Sequence, residues 1–188
     1  MDNRVLDIEG WMSPTEIEWL QQTVRKQSSD ALIVELGAWK GRSTAAIVTV
    51  ANRSTTCVTV DTWLGQEDLR TNAHSEVITN DIFLEFLFNM KKFNIHPEWY
   101  SKQKGGLYYL RMESSLAPIL FEDNSIDMLF IDCDHRKFGE DIDSWYSKVK
   151  NHGIISGHDY QWEGAQVEID KRVKVEAVVG DIWWGYKG

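Results

Sequence analysis

Short apolar runs alternate with stretches of helical periodicity along this chain. Residues 31–34, 57–60, 108–111, 126–132 and 153–160 are five such runs, and they read as buried strands. Between them lie helical patterns. Ser13-Pro14-Thr15-Glu16 is a helix start, with Ser as N-cap, Pro at the first helical position and Glu completing a capping box. Ile17, Leu20 and Val24 then share one face, which packs on the sheet; closing over a bound ligand is the alternative role for this helix. Residues 44–51 follow the first strand as a helix. Residues 82–93 form another, capped by Thr79 or Asn80 and apolar almost all round, so burial on several sides is expected. Phe138, Ile142, Trp145 and Val149 mark an amphipathic helix between the fourth and fifth strands. After a short helix at 165–173, residues 174–179 and 182–187 read as two strands around Gly180-Asp181. This alternation predicts an α/β fold with a Rossmann-like, doubly wound sheet. The 188 residues suit one domain, 1–188. The longest departure from the alternation is an insertion at about 62–106.

Polar residues gather at the predicted strand ends, where open α/β sheets bind ligands. The first strand runs into Val34-Glu35-Leu36-Gly37-Ala38-Trp39-Lys40-Gly41-Arg42-Ser43-Thr44. Glycines there let the backbone approach a ligand, and the helix start offers unpaired N–H groups. Trp39 stands where a dinucleotide fingerprint needs its second glycine, and Gly41-Arg42-Ser43 lacks the lysine of a Walker A loop. Taken alone, the glycine pair also fits an ordinary strand-to-helix turn. Asp61 ends the second strand, 24 residues after Gly37, where an acid can accept hydrogen bonds from a ribose. Glu113-Ser114 follows the third strand, Asp132 ends the fourth, and His158-Asp159 ends the fifth.

These motifs, in this order, resemble those of the class I S-adenosylmethionine (SAM) methyltransferases of the family 24 group. The stretch from residue 32 to 160 carries the likeness through Glu35-Leu36-Gly37-Ala38-Trp39-Lys40-Gly41-Arg42-Ser43-Thr44, Val60-Asp61-Thr62-Trp63-Leu64-Gly65, Ile126-Asp127-Met128-Leu129-Phe130-Ile131-Asp132-Cys133-Asp134-His135 and Gly153-Ile154-Ile155-Ser156-Gly157-His158-Asp159-Tyr160. More distantly, it is similar to macrocin-type sugar O-methyltransferases and catechol O-methyltransferase. The resemblance implies a sheet of about seven strands with the last antiparallel, and methyl transfer from SAM to a hydroxyl of a small molecule such as a sugar or polyketide. N-methylation is the variant of the same chemistry. The insertion at 62–106 would shape the acceptor site, and the 82–93 helix would serve as packing, as an acceptor wall or as a homodimer contact.

For the cofactor, the resemblance implies that Gly37 and Gly41 approach the amino-acid end of SAM and Asp61 holds the ribose. Glu113 and Ser114 would flank the adenine, and Glu35, Trp39, Ser43, Thr62, Trp63 and Asp132 would complete the cofactor site. For catalysis, Asp132, His158 and Asp159 converge from neighbouring strand ends as candidate ligands of a divalent metal. The related families hold Mg²⁺ there with acids or amides. His158 departs from that pattern, and an imidazole favours a transition metal over Mg²⁺, which prefers oxygen. His135 matches the position of a proton-accepting lysine in catechol O-methyltransferase, and a histidine can do that work near neutral pH. Without a metal, the base would be His135 or His158. In the plainer alternative no metal binds, His158 and Asp159 hydrogen-bond nearby backbone or water, and His135 only orders the loop after its strand.

Charge and composition narrow the classes. A formal net charge of −9 weighs against a nucleic-acid partner, which needs a basic face. The polar start Met1-Asp2-Asn3-Arg4 lacks a signal peptide's apolar stretch, and no apolar run approaches the roughly 18 residues that span a bilayer. The two cysteines, Cys57 and Cys133, read as reduced thiols, and a cytoplasmic protein is expected. Two other classes compete with the enzyme: a SAM- or nucleoside-binding protein without catalysis, and an NAD(P)-dependent oxidoreductase. Trp39 and the lack of a Tyr-x-x-x-Lys pair oppose the latter.

Overall fold

The computed structural model describes residues 3–65, 81–100, 104–134 and 136–188. Among these residues, eight strands form one sheet: β1 (Leu32–Leu36), β2 (Thr56–Asp61), β3 (Glu98–Trp99), β4 (Gly106–Arg111), β5 (Ile126–Ile131), β6 (Val149–Gly157), β7 (Val175–Val179) and β8 (Ile182–Tyr186). Their order is β3-β4-β2-β1-β5-β6-β8-β7. The first six are parallel, and β8 runs antiparallel to both β6 and β7. The chain switches direction between β1 and β5, which opens a crevice at the carboxyl ends of those strands. The extra strand over the expected seven is β3, a two-residue edge inside the insertion.

Among the described residues, five helices cover the sheet: α1 (Pro14–Arg25), α2 (Arg42–Val48), α3 (Ile82–Lys92), α4 (Phe138–Trp145) and α5 (Ala165–Asp170). Side chains alternate across each strand, so the sheet feeds two cores. Ile33, Cys57, Met128 and Phe130 meet Ile17, Leu20, Ile47, Phe86 and Met90 of α1, α2 and α3 on one face. Val34, Val58, Leu129 and Ile131 meet Phe138, Ile142, Trp145 and Ile169 of α4 and α5 on the other.

The helix ends follow local chemistry. Ser13 caps α1, and the Glu16 carboxylate accepts the Ser13 N–H at 2.6 Å, so the capping box forms. For α3 the cap is Asp81, which accepts the Leu84 N–H at 3.1 Å; Thr79 and Asn80 lie outside the described residues. This helix is not buried all round. Ile82, Phe86 and Met90 are in the core, while Leu84 is 60% and Phe88 64% exposed. Val149 is not helical: α4 ends at Trp145, a 3-10 turn follows, and Val149 opens β6 while staying buried. No helix among the described residues is long and apolar enough to cross a membrane.

Candidate active site

Gly37 leaves β1 with φ +88°, and a Cβ there would fall 1.9 Å from the Asp132 carbonyl oxygen. Only glycine lets the ends of β1 and β5 lie this close. Gly41 starts α2 with φ +92°, and its missing Cβ is filled by Met90 and Phe86 of α3. Between the glycines, Trp39 is left-handed at φ +49°, and Trp63 after β2 is left-handed at φ +51°. Both are sterically disfavoured for a bulky residue, so something must hold them. That group is Asp61. One carboxylate oxygen accepts the Ala38 and Trp39 N–H groups at 2.8 and 2.9 Å, and the other accepts Trp63 N–H at 2.7 Å. The Trp63 indole closes the loop by donating to the Trp39 carbonyl at 2.9 Å. Burial raises the Asp61 carboxyl above its ordinary pKa, while the N–H bonds from Trp63, Trp39 and Ala38 oppose that rise.

This loop forms one wall of a cavity of about 600 Å³ at the carboxyl edge of the sheet. Met112, Glu113, Ser114, Cys133 and Lys137 are among its lining residues. Ser114 Oγ and the Cys133 thiol both donate to the buried Asp141, at 2.6 and 2.9 Å. Burial pushes both the Asp141 carboxyl and the Cys133 thiol up, and the Asp141 charge raises the thiol further. Ser114 is thereby fixed, and its carbonyl receives the Trp145 indole N–H at 3.0 Å.

Asp132, His158 and Asp159 also line the cavity, and their ligating atoms all fall within 4.8 Å of one another. His158 is 6% exposed. Its Nδ1 is 3.1 Å from Asp159 Oδ1 and 3.8 Å from Asp132 Oδ1; its Nε2 is 3.4 Å from Glu16 Oε1. Burial alone would depress the imidazole. The Asp159 hydrogen bond and the charges of Asp132, Asp159 and Glu16 outweigh it and raise His158 to about 9. One nitrogen and two carboxylates suit a borderline divalent ion better than Mg²⁺.

Gly37, Trp39, Ser43, Asp61, Thr62, Trp63, Glu113, Ser114, Asp132, His158 and Asp159 line this one cavity. Two residues expected at the cofactor do not. Gly41 packs on α3, and Glu35 points into the core beneath α2, where Thr44 Oγ1 donates to it at 2.5 Å. Strand alternation decides this, because Glu35 shares its face with Ile33 and not with the cavity. His135 lies outside the described residues. Of the 62–106 insertion, Thr62, Trp63 and Gly65 line the cavity among the described residues. The segment before α1 contributes Trp11 and Met12, and Glu16, Arg42 and Trp162 also line it. Arg42 reads in sequence as an ordinary residue of a helix start. Its guanidinium donates to the carbonyls of Ile8, Met12 and Leu6 at 2.7, 2.8 and 3.3 Å, contacts that only the folded chain reveals.

Known structures share this architecture. The chain is similar to an O-methyltransferase from Bacillus cereus in complex with SAH at 18% identity and TM-score 0.65, covering 98% of this chain and 87% of that one. It is similar to a SAM-dependent O-methyltransferase from Thermotoga maritima at 12% identity and TM-score 0.66, covering 99% and 70%. A methyltransferase from Geobacter sulfurreducens aligns at 14% identity and TM-score 0.60, covering 94% and 80%. No curated protein sequence matches the chain. A family model described as a methyltransferase domain matches residues 34–160, from the first strand to the end of the fifth parallel strand of the predicted core. That span holds the glycine loop, Asp61, Asp132 and His158-Asp159, and the chain belongs to this family of SAM-dependent methyltransferases.

Proposed function

We propose that this protein transfers a methyl group from SAM to a hydroxyl of a small molecule, with the acceptor held between Asp132, His158-Asp159 and the mouth of the cavity. The observation that carries this reading is one cavity shared by both groups of residues. Its glycine loop and its Asp132–His158–Asp159 cluster lie on neighbouring strand ends, so a donor and an acceptor can meet there. Methyl transfer is an in-line displacement, and alignment of the two reactants supplies much of its acceleration.

Gly37 approaches the amino-acid end of SAM, Asp61 faces the ribose, and Glu113 with Ser114 flanks the adenine. Asp61 serves the ribose through the oxygen that accepts Trp63 N–H, which keeps a second lone pair, while the other oxygen takes two loop N–H groups. Trp11, 67% exposed, and Trp162, 51% exposed, stand at the mouth and cover an acceptor as it enters. The carboxylate of Asp132, with 24% of its side chain open, accepts the acceptor's hydroxyl proton. A divalent cation held by Asp132, His158 and Asp159 would lower the pKa of that hydroxyl. The acidic balance of −9 supports a small-molecule acceptor over a nucleic acid, and the thiols of Cys57 and Cys133, neither of them in a disulfide, suit a cytoplasmic protein. Leu84 and Phe88, one turn apart on α3, are exposed and suit a homodimer contact.

Calorimetry with SAH and NAD, followed by SAH release assayed over a panel of hydroxylated compounds, tests this. SAH binding with turnover on a hydroxyl acceptor is expected, and Asp132→Asn should lose turnover while keeping SAH affinity. SAH binding without turnover on any acceptor would favour a binding protein.

A further inference from the structure

Glu16 is a carboxylate only 5% exposed, and it comes from α1, outside the strand ends that form the rest of the site. Two backbone groups bind it: Ser13 N–H at 2.6 Å and the Asp181 N–H of the β7–β8 turn, also at 2.6 Å. Those bonds fix the carboxylate in place. They do not require a third neighbour, yet Glu16 Oε1 sits 3.4 Å from His158 Nε2. That nitrogen is buried and has no hydrogen-bond partner at strict geometry among the described residues. A few tenths of an ångström of ring movement would bring the pair to hydrogen-bond length. The other nitrogen, Nδ1, faces Asp159 and Asp132. A carboxylate behind one imidazole nitrogen and oxygen ligands before the other is the arrangement by which proteins orient a metal-binding histidine.

We propose that Glu16 is a positioning residue that accepts a hydrogen bond from the Nε2–H of His158 and so presents Nδ1, with Asp132 and Asp159, to an ion such as Mn²⁺ or Zn²⁺ in preference to Mg²⁺. The inference rests on the reading of that cluster as a cation site. Mg²⁺ gains little from a fixed imidazole, whereas the borderline ions accept nitrogen readily. Glu16 belongs to the helix that carries the capping box and grips the hairpin turn, so histidine orientation is tied to the N-terminal segment as well as to β6.

The test is direct ion binding to the SAH-loaded protein, read by the electron-spin signal of free Mn²⁺. Wild type should bind Mn²⁺ and keep it against a large excess of Mg²⁺. Glu16→Gln should weaken Mn²⁺ binding about 10–100-fold with SAH affinity unchanged. His158→Asp should reverse the preference toward Mg²⁺. In the His158→Asp background, Glu16→Gln should change ion affinity no further, because its effect passes through the imidazole. A purely structural Glu16 would act equally in both backgrounds, and that result would overturn the inference. If Glu16→Gln does not fold, the wild type decides. In its Zn²⁺-loaded form, long-range ¹H–¹⁵N spectra should show Nε2 protonated and Nδ1 bound, and the reverse assignment refutes the role of Glu16. Failure of wild type to bind Mn²⁺ while SAH still binds would remove the cation reading itself. Equal competition by Mg²⁺ would remove the selectivity alone.

Discussion

Asp61 shows how one side chain can serve both the loop and the ligand. Its carboxylate holds three backbone N–H groups of a loop that contains two left-handed tryptophans. Removing it leaves those donors without an acceptor and releases the strain of Trp39 and Trp63. Hydrogen bonds to a charged group contribute about 1.5–3 kcal/mol. Asp61→Ala should therefore weaken SAH binding by roughly 10–100-fold in a variant that remains folded. Calorimetric titration measures this directly, and unchanged SAH affinity would show that neither the clamp nor a ribose contact matters. The acid at the end of β2 was legible in the sequence. Its service to the loop was not, because that depends on the φ angles of Trp63 and of Trp39, the latter 22 positions away.

Elements are joined here by groups whose partners are remote in sequence. Arg42, at the start of α2, grips three carbonyls of the segment that precedes α1. A guanidinium fork suits three diverging acceptors; an ammonium is a point charge and cannot span them in the same way. Arg42→Lys should leave the sheet intact and speed amide hydrogen exchange across residues 3–12, with little change at β1 or β5. Uniform exchange rates in both proteins would show that the segment is held by Val5, Ile8 and Met12 in the core. The same helix start also meets α3. Adding a methyl at Gly41 would place Cβ 2.6 Å from Met90 Cε in a backbone conformation that L residues disfavour. Gly41→Ala should destabilise the fold by about 1–3 kcal/mol in urea denaturation, which contact at the flexible Met90 tip alone would not cause. The helix starts themselves were readable: the capping box at Ser13 and Glu16 is present as the sequence specifies. The cap of α3 and the end of α4 were not, since Asp81 competes with its neighbours for the same role and Val149 satisfies a helix face and a strand opening equally well.

At the scale of the molecule, the alternation of apolar runs foretold a parallel sheet because strands buried on both faces tolerate few polar residues. Glu35 is the exception in the middle of β1, and it marks the limit of reading a motif by position. Its place before the glycine loop suggested a ligand contact, yet strand alternation turns it away from the cavity and into the core under α2. There it is 2% exposed, beside a void of about 10 Å³. One oxygen takes the Thr44 hydroxyl, while the other, like the hydroxyl of its register partner Thr59, has no hydrogen-bond partner among the described residues. Burial raises this carboxyl to about 7, and the neighbouring hydroxyls of Ser43, Thr44 and Thr59 only partly offset that rise. The sign of the consequence follows from linkage. Between the ordinary value of 4.5 and about 7, the unfolded chain loses this proton and the folded chain keeps it. Stability from this group is therefore greatest below pH 4.5 and falls as pH rises toward 7, by roughly 3 kcal/mol in all. Glu35→Gln removes the titration, keeps an oxygen for Thr44 and offers an amide hydrogen to Thr59. Urea denaturation across this pH range should show the wild-type loss flattened in the variant, whose advantage is largest above pH 7. A variant with the same slope as wild type would assign the pH dependence to other groups.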